Sequence, residues 1–331
     1  VSKKIWTSGR TEWALFALLF FSAAFFHHTV EYDNTASRYF LLSSVVDFHR
    51  LDLEMFRADT IDLAVHDGRY FSNKPIGLPL LAAPVYWAMR RFTVLKQSGP
   101  LSNISAYITR VWAVSLPYAL TGPILYRLLI AMGVAEGNAF LAVLVYALGT
   151  LAWVHATLFS GHQTAASLAL FSFAACWRLA RKTATQAWRW LGAGMLAGLA
   201  ALCEFQAAFI AVLLFGYVLW RGRSPAAKLA FAGGLALCAA VLAAYNFACF
   251  GSPWSLSQAN QGPDFAEYLK HGFLGVERPH LSAALRILLS PSRGLFFTMP
   301  VLALAVTGFG ALWGKGEEWR AELALIAAIF A

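Results

Sequence analysis

Glu31, Asp33 and Arg38 stand together in EYDNTASRY, directly after the apolar run TEWALFALLFFSAAFFHHTV, and Lys74 follows in SNKPIGLP. A carboxylate within hydrogen-bond reach of a hydroxyl accepts its proton as that oxygen becomes a nucleophile. An arginine grips an oxyanion as a fork and a lysine meets it as a point charge, so fixed cations favour charge that develops on a leaving group. Each residue also has a plainer reading. Asp33 and Arg38 form a solvated surface pair, or Asp33 stabilises the start of the next helix through its dipole. Lys74 lays its stem along the membrane interface. His162 in FSGHQ and Glu204 in CEFQ sit at the ends of apolar runs, where a polar group is costly without a role or a partner. They hold a substrate or a metal, or they close the bundle as a hydrogen-bonded pair. Arg293 in SPSRGLFF binds a phosphate or anchors a helix at an interface.

The elements that position these residues follow from composition. The chain has 331 residues, 59% of them hydrophobic and 13% charged, with mean hydropathy +0.58. That balance predicts an all-α, polytopic membrane protein. A spanning helix needs about 20 apolar residues. Candidate runs are Trp13 to Val30, Ile104 to Ala131, Ala139 to Leu158, Thr164 to Ala180, Trp190 to Cys203, Ala207 to Trp220, Leu229 to Phe250, Leu295 to Trp313, and one from Ala321. The short Trp190 and Ala207 runs are expected to pair through a turn at Glu204 to Gln206. A single domain over residues 1–331 is expected. The last run stops inside apolar sequence, which leaves room for a C-terminal continuation. The first run is expected to stay as a signal anchor. The net charge of +9 is scattered between apolar runs and not gathered on one face, which argues for membrane orientation and against nucleic acid. The cysteines Cys176, Cys203, Cys238 and Cys249 lack metal-type spacing and read as small buried residues.

Orientation turns on residues 73–92. If that segment crosses the membrane, the basic loops at Arg178 to Arg189 and Arg221 to Lys228 fall opposite Lys3, Lys4 and Arg10, against the positive-inside rule. If it lies at the interface, all share the cytoplasmic side, and we adopt this reading. Residues 31–103 are then one external loop and 251–293 a second. His162, Glu204 and both loops converge on one face. In the first loop, Asn34 is the expected N-cap of an amphipathic surface helix with Tyr39, Leu42 and Val46 on its apolar side and Arg38, Ser43 and Asp47 on the surface. Asp67-Gly68 predicts a hairpin that delivers Lys74 toward the membrane. Leu281, Leu285 and Leu288 form a second interfacial stripe, and residues 251–293 are expected to be a movable cover.

The succession YDNTASRY, GRYFSNKPIGLPLLAAPVYW, YALGTLAWVHATLFSGHQTAA, GLAALCEFQAA, YNFACFGSP and SPSRGLFFTMP resembles the GT-C glycosyltransferases. It is most like bacterial members related to protein O-mannosyltransferases and lipid A aminoarabinose transferases, of the glycosyltransferase family 39 type. The resemblance implies a GT-C helix bundle with juxtamembrane helices in the first external loop. It implies inverting transfer of a sugar from a polyprenyl-phosphate carrier to an acceptor outside the membrane. Asp33 takes the place of the catalytic acid. Asn34 stands where relatives carry a second acid, so Glu31 is the alternative base. Lys74-Pro75 looks like the pair that meets the lipid phosphate, and Arg38 matches the second cation, with Arg293 a third candidate.

The expected substrate and acceptor pocket comprises Tyr39, His66, Tyr70, Asn73, His162 and Glu204. No cofactor is expected and no metal ligands are assigned; a divalent metal is the alternative, since some GT-C enzymes use one. The expected partners are the lipid-linked sugar, a glycolipid, polysaccharide or protein acceptor, and the bilayer. The expected location is the bacterial inner membrane, with the site facing the periplasm. Two other classes stay open: a transporter or flippase of lipid-linked sugars, and a catalytically silent subunit that binds lipid phosphate.

Overall fold

A computed structural model of the chain describes residues 9–26, 33–92, 102–182, 186–269, 278, 280–314 and 319–330. Helices dominate: α1 Gly9–Ala24, α2 Asp33–Asp47, α3 Gly77–Phe92, α4 Ser102–Arg110, α5 Leu116–Ala131, α6 Glu136–Leu148, α7 Leu151–Ala156, α8 Gly161–Ala180, α9 Ala187–Cys203, α10 Ala207–Arg221, α11 Pro225–Phe250, α12 Pro263–Leu269, α13 Leu281–Leu289, α14 Leu295–Thr298, α15 Ala303–Trp313 and α16 Arg320–Phe330. Strands β1 Leu63–His66 and β2 Arg69–Ser72 form an antiparallel hairpin between α2 and α3.

Among the described residues, two helical stretches are long and apolar enough to cross a membrane, Ile104–Ala131 and Pro225–Phe250. The first is continuous from α4 to α5 through a wider turn at Val111–Ser115. The expected run Ala139 to Leu158 instead breaks at Gly149-Thr150, where the Thr150 hydroxyl accepts the Ala152 amide and caps α7. The run Leu295 to Trp313 breaks at Met299-Pro300, because proline lacks the amide that α14 would need to continue.

α1 and α5 run side by side, and the end of α1 is held by the last turn of α4. Arg110 donates to Ala23 O and Phe26 O, and the Tyr107 hydroxyl donates to Ala24 O at 2.7 Å. A cation and a hydroxyl thus satisfy carbonyls left open at a helix C-terminus. An Arg127–Glu12 pair joins the far ends of α5 and α1. The C-terminal end of α1 and the last turn of α4 therefore lie at the same end of the bundle. α3 packs on α2, α4 and α9 there.

α2 differs from the expected surface helix. It begins at Asp33, so Asn34 lies inside its first turn. Leu42 packs with Tyr39 and Val46 against α3, as the periodicity predicts, but Leu41 on another face enters a second core with Phe71, Tyr245 and Phe250. Arg38 and Ser43 are buried and not on the surface, because α2 is covered on both sides. Asp47 at its end accepts Tyr86 Oη at 2.6 Å and Arg90 Nε at 2.9 Å, tying α2 to α3.

The hairpin forms at the predicted turn, with Asp67 and Gly68 both at positive φ (49° and 74°). Asp52 braces it, accepting Arg69 Nη2 at 2.5 Å and Arg50 Nη2 at 3.0 Å. Burial works to raise the Asp52 carboxyl, but the hydrogen bonds from Arg69 and Arg50 outweigh it and hold its pKa below the ordinary value. A carboxyl lowered in the fold binds fewer protons folded than unfolded. Its stabilisation is complete above the ordinary carboxylate pKa and is lost as pH falls through the lowered value. Hydrogen-exchange protection of the hairpin amides is expected to drop on acidification below about pH 4. Asp52→Asn should lower that protection at neutral pH and remove the acid step.

The tightest helix contact is α9 on α11. A Cβ on Gly194 would stand 2.1 Å from Phe231 O, and one on Gly234 2.3 Å from Leu191 O, so these two glycines let the backbones touch.

Candidate functional site

Glu204 sits between α9 and α10, at the tight turn that the sequence predicts there. Two glycines admit it. A Cβ on Gly77 would lie 2.3 Å from Leu202 C, and one on Gly161 would lie 2.3 Å from Cys203 O and 2.6 Å from Glu204 Oε1. The first turns of α3 and α8 therefore abut the end of α9. Glu204 Oε1 accepts Arg38 Nη2 at 2.5 Å and lies 3.2 Å from His162 Nδ1. His155 packs edge-on against His162, with ring centroids 4.9 Å apart.

Burial pushes the Glu204 carboxyl up, against the fields of Arg38, Lys74 and His155. Burial likewise lowers the Arg38 guanidinium, against Glu204. Each charge costs desolvation and each offsets the other's. His162, ahead of the apolar run Thr164 to Ala180, is lowered by burial and then by Arg38 and Lys74, which favours its neutral form. Arg38 is 1% exposed; its Nη1 donates to Asn34 O at 2.9 Å and to Asn34 Oδ1, and its buried Nε has no hydrogen-bond partner among the described residues. In this structure the expected phosphate ligand Arg38 is enclosed and does not line the Asp33 cleft. Arg38 ties the first turn of α2 to Glu204.

Lys74 lies in the same cluster. Its Nζ is 3.0 Å from Asp62 Oδ2, and its side chain is 18% exposed. Asp62 is held from several sides. Asn73 Nδ2 donates to its Oδ1 at 3.3 Å, and the Ser37 hydroxyl donates to its backbone oxygen at 2.7 Å. Asn73 also donates to Gln261 Oε1 at 2.9 Å, and Ser257 donates to Asn73 O at 3.0 Å. The first part of residues 251–293 is thus fastened to the hairpin, including a bridge between Ala64 and Gln261, where a free cover is expected.

Asp33 opens α2. Its Oδ1 accepts the Ile61 amide at 3.1 Å, and its backbone oxygen accepts the Thr60 hydroxyl at 3.4 Å. It lines a cleft of about 360 Å³ with Arg57, Asp59, Thr60, Tyr70 and Asp264 among its walls. The residues that hold Asp33 and Lys74 are neighbours in the chain, Ile61 by its amide and Asp62 by its carboxylate.

The other expected site residues divide. Tyr70 joins Asp33 in the cleft, and Asn73 joins Lys74 at Asp62. Tyr39 packs edge-on to Tyr86 and Phe159 beside the cluster. His66 faces Phe250 and lies 3.6 Å from Asp67, within the hairpin's own packing. Arg293 is exposed between α13 and α14, and among the described residues it forms no hydrogen bond or ion pair with the cluster. Glu31 lies outside the described residues. Among those residues no group of three or more His, Cys, Asp or Glu is placed to hold a metal. Asp62 and His155 escape the sequence reading. The signal for Asp62 is an acid between Ile61 and Leu63 at the edge of a predicted strand. No protein-family model, curated protein or solved structure matches the chain, so its own geometry carries the argument.

Proposed function

We propose that the chain is a multi-pass GT-C-type glycosyltransferase of the bacterial inner membrane, transferring a sugar from a polyprenyl-phosphate carrier to an acceptor at the external face. Support for the membrane comes from an inverted pattern of burial. Pro225–Phe250 is the more apolar of the two long helices, yet only 22% of its most apolar window is buried. Leu229, Leu237, Val241 and Phe247 on it are exposed, as are Trp13, Phe21, Phe209 and Trp220 on other helices. In water the most apolar helix would be the most enclosed; in lipid the reverse holds. The buried ion pairs Arg38–Glu204 and Arg181–Glu322 lie toward the ends of the bundle, where the headgroups would lie.

The observation that carries transfer is that two consecutive residues, Ile61 and Asp62, hold Asp33 and Lys74. Standard backbone dimensions keep carboxylate and ammonium within roughly 13 Å of each other, a span that a sugar phosphate bridges. In the reaction, Asp33 accepts the acceptor hydroxyl proton as its oxygen bonds to the anomeric carbon. The bond from that carbon to the phosphate oxygen breaks, and the electron pair leaves on the carrier phosphate. Asp62 holds Lys74 from one side, which leaves other N–H donors of the ammonium for the phosphate. Arg38 and Glu204 position the helix that carries Asp33.

The protein in nanodiscs with radiolabelled polyprenyl-phosphate sugar is expected to consume donor and release carrier phosphate. Lys74→Met should lower kcat/KM on the order of 10²-fold. Movement of intact labelled lipid without consumption would replace transfer by transport, and saturable binding without turnover would make the chain a silent lipid-phosphate binder.

A further inference from the structure

The opposite end of the bundle holds a second charged constellation. α8 runs 20 residues from Gly161 beside Glu204, and α10 runs 15 residues from Ala207. At 1.5 Å per residue their far ends lie roughly 20–30 Å from Glu204. There Glu322 of α16, itself buried, gathers donors on one oxygen: the Tyr217 hydroxyl at 2.9 Å, Arg181 Nη1 at 3.3 Å and, more loosely, Arg221 Nη2 at 3.8 Å. The Arg181 guanidinium also lies 3.8 Å over the Trp177 ring. A cleft of about 220 Å³ opens beside this pair, lined by Ala180, Arg181, Trp220, Arg221 and Arg223. Arg223 is exposed and, among the described residues, makes no hydrogen bond or ion pair. Three arginines line the cleft and two of them, Arg181 and Arg221, meet the Glu322 carboxylate, which is not part of the cleft wall.

We propose that this cleft binds the phosphate of a net-anionic phosphoester. Glu322 and Trp177 hold Arg181 in place, so its planar fork is ordered before a ligand arrives, and Arg223 has no internal partner to give up. Forked N–H groups match phosphate oxygens two at a time, a fit that a halide cannot reproduce. The exposed Trp220 supplies an amphipathic ring beside the cations, suited to the glycerol and ester region of a lipid. An anionic phospholipid headgroup and a soluble phosphoester share this chemistry. The site stands apart from the sugar-transfer reading, since it uses none of those residues.

The test is native mass spectrometry of the full chain in neutral detergent, titrated with dioleoylphosphatidylglycerol, dioleoylphosphatidylcholine or glycerol 3-phosphate. Arg223→Gln and Arg223→Glu are the variants, because neither removes an internal contact. One saturable phosphatidylglycerol is expected, about fivefold weaker in Arg223→Gln and more than about tenfold weaker in Arg223→Glu. Displacement of that lipid by glycerol 3-phosphate would assign the site to soluble phosphoesters, and failure to displace it would assign the site to lipid headgroups. Equal phosphatidylglycerol affinity in all three proteins, or phosphatidylcholine bound as tightly, would overturn the proposal. Donor turnover is not read, so the result is independent of the transfer assay.

Discussion

Asp33→Asn is expected to cut sugar transfer by about 10²–10⁴-fold while leaving the fold intact. The substitution is informative because of what it preserves. Asparagine keeps an oxygen where Asp33 Oδ1 accepts the Ile61 amide, so the anchor of α2 on the 60–62 segment survives. What it removes is the capacity to take a proton from the acceptor hydroxyl. Turnover of labelled polyprenyl-phosphate sugar, measured beside thermal unfolding of the same preparation, separates the two effects. The expected result is a loss in kcat with an unchanged melting temperature. Wild-type turnover by the variant would remove Asp33 from catalysis. Glu31→Gln provides the comparison, since Glu31 is the alternative base in the same loop.

Glu204→Ala is expected to act in the opposite manner, through stability first. Arg38 is 1% exposed, and Glu204 is the carboxylate that meets it. Removing one partner strands a buried guanidinium, at a cost of about 3–5 kcal/mol. The apparent Tm in detergent should fall on the order of 10 °C. The double variant Arg38→Met with Glu204→Leu should recover much of that loss, because two apolar side chains leave no charge to desolvate. If the pair were merely a surface contact, Glu204→Ala would shift Tm by no more than about 1 kcal/mol would, and the double variant would add nothing.

Several features were legible in advance because they rest on local chemistry. Asp67-Gly68 supplies two residues that tolerate positive φ, and the hairpin turns there. Tyr39, Leu42 and Val46 share a helical face and meet the same core. The pair α9 and α10 turns at Glu204, where the apolar run is interrupted. Other features were not legible, since they depend on contacts between distant segments. Asp33 and Arg38 look alike in sequence, both charged and five positions apart. Only the approach of Glu204, 166 residues from Arg38, makes one of them an enclosed positioning group. Likewise Asp62 looks like one more acid in a loop until Lys74 folds back on it.

By itself, then, the amino-acid order determined a largely helical chain, its apolar runs and its hairpin. Periodicity, turn residues and the cost of desolvating charge act over a few positions and can be read from neighbours along the chain. The tertiary structure alone decided which charge meets which, with Glu204 taking Arg38, Asp62 taking Lys74 and Asp33 left facing a cleft. Ion pairing in a low-dielectric interior depends on distances of a few ångströms between segments far apart in sequence, and those distances exist only once the helices have packed.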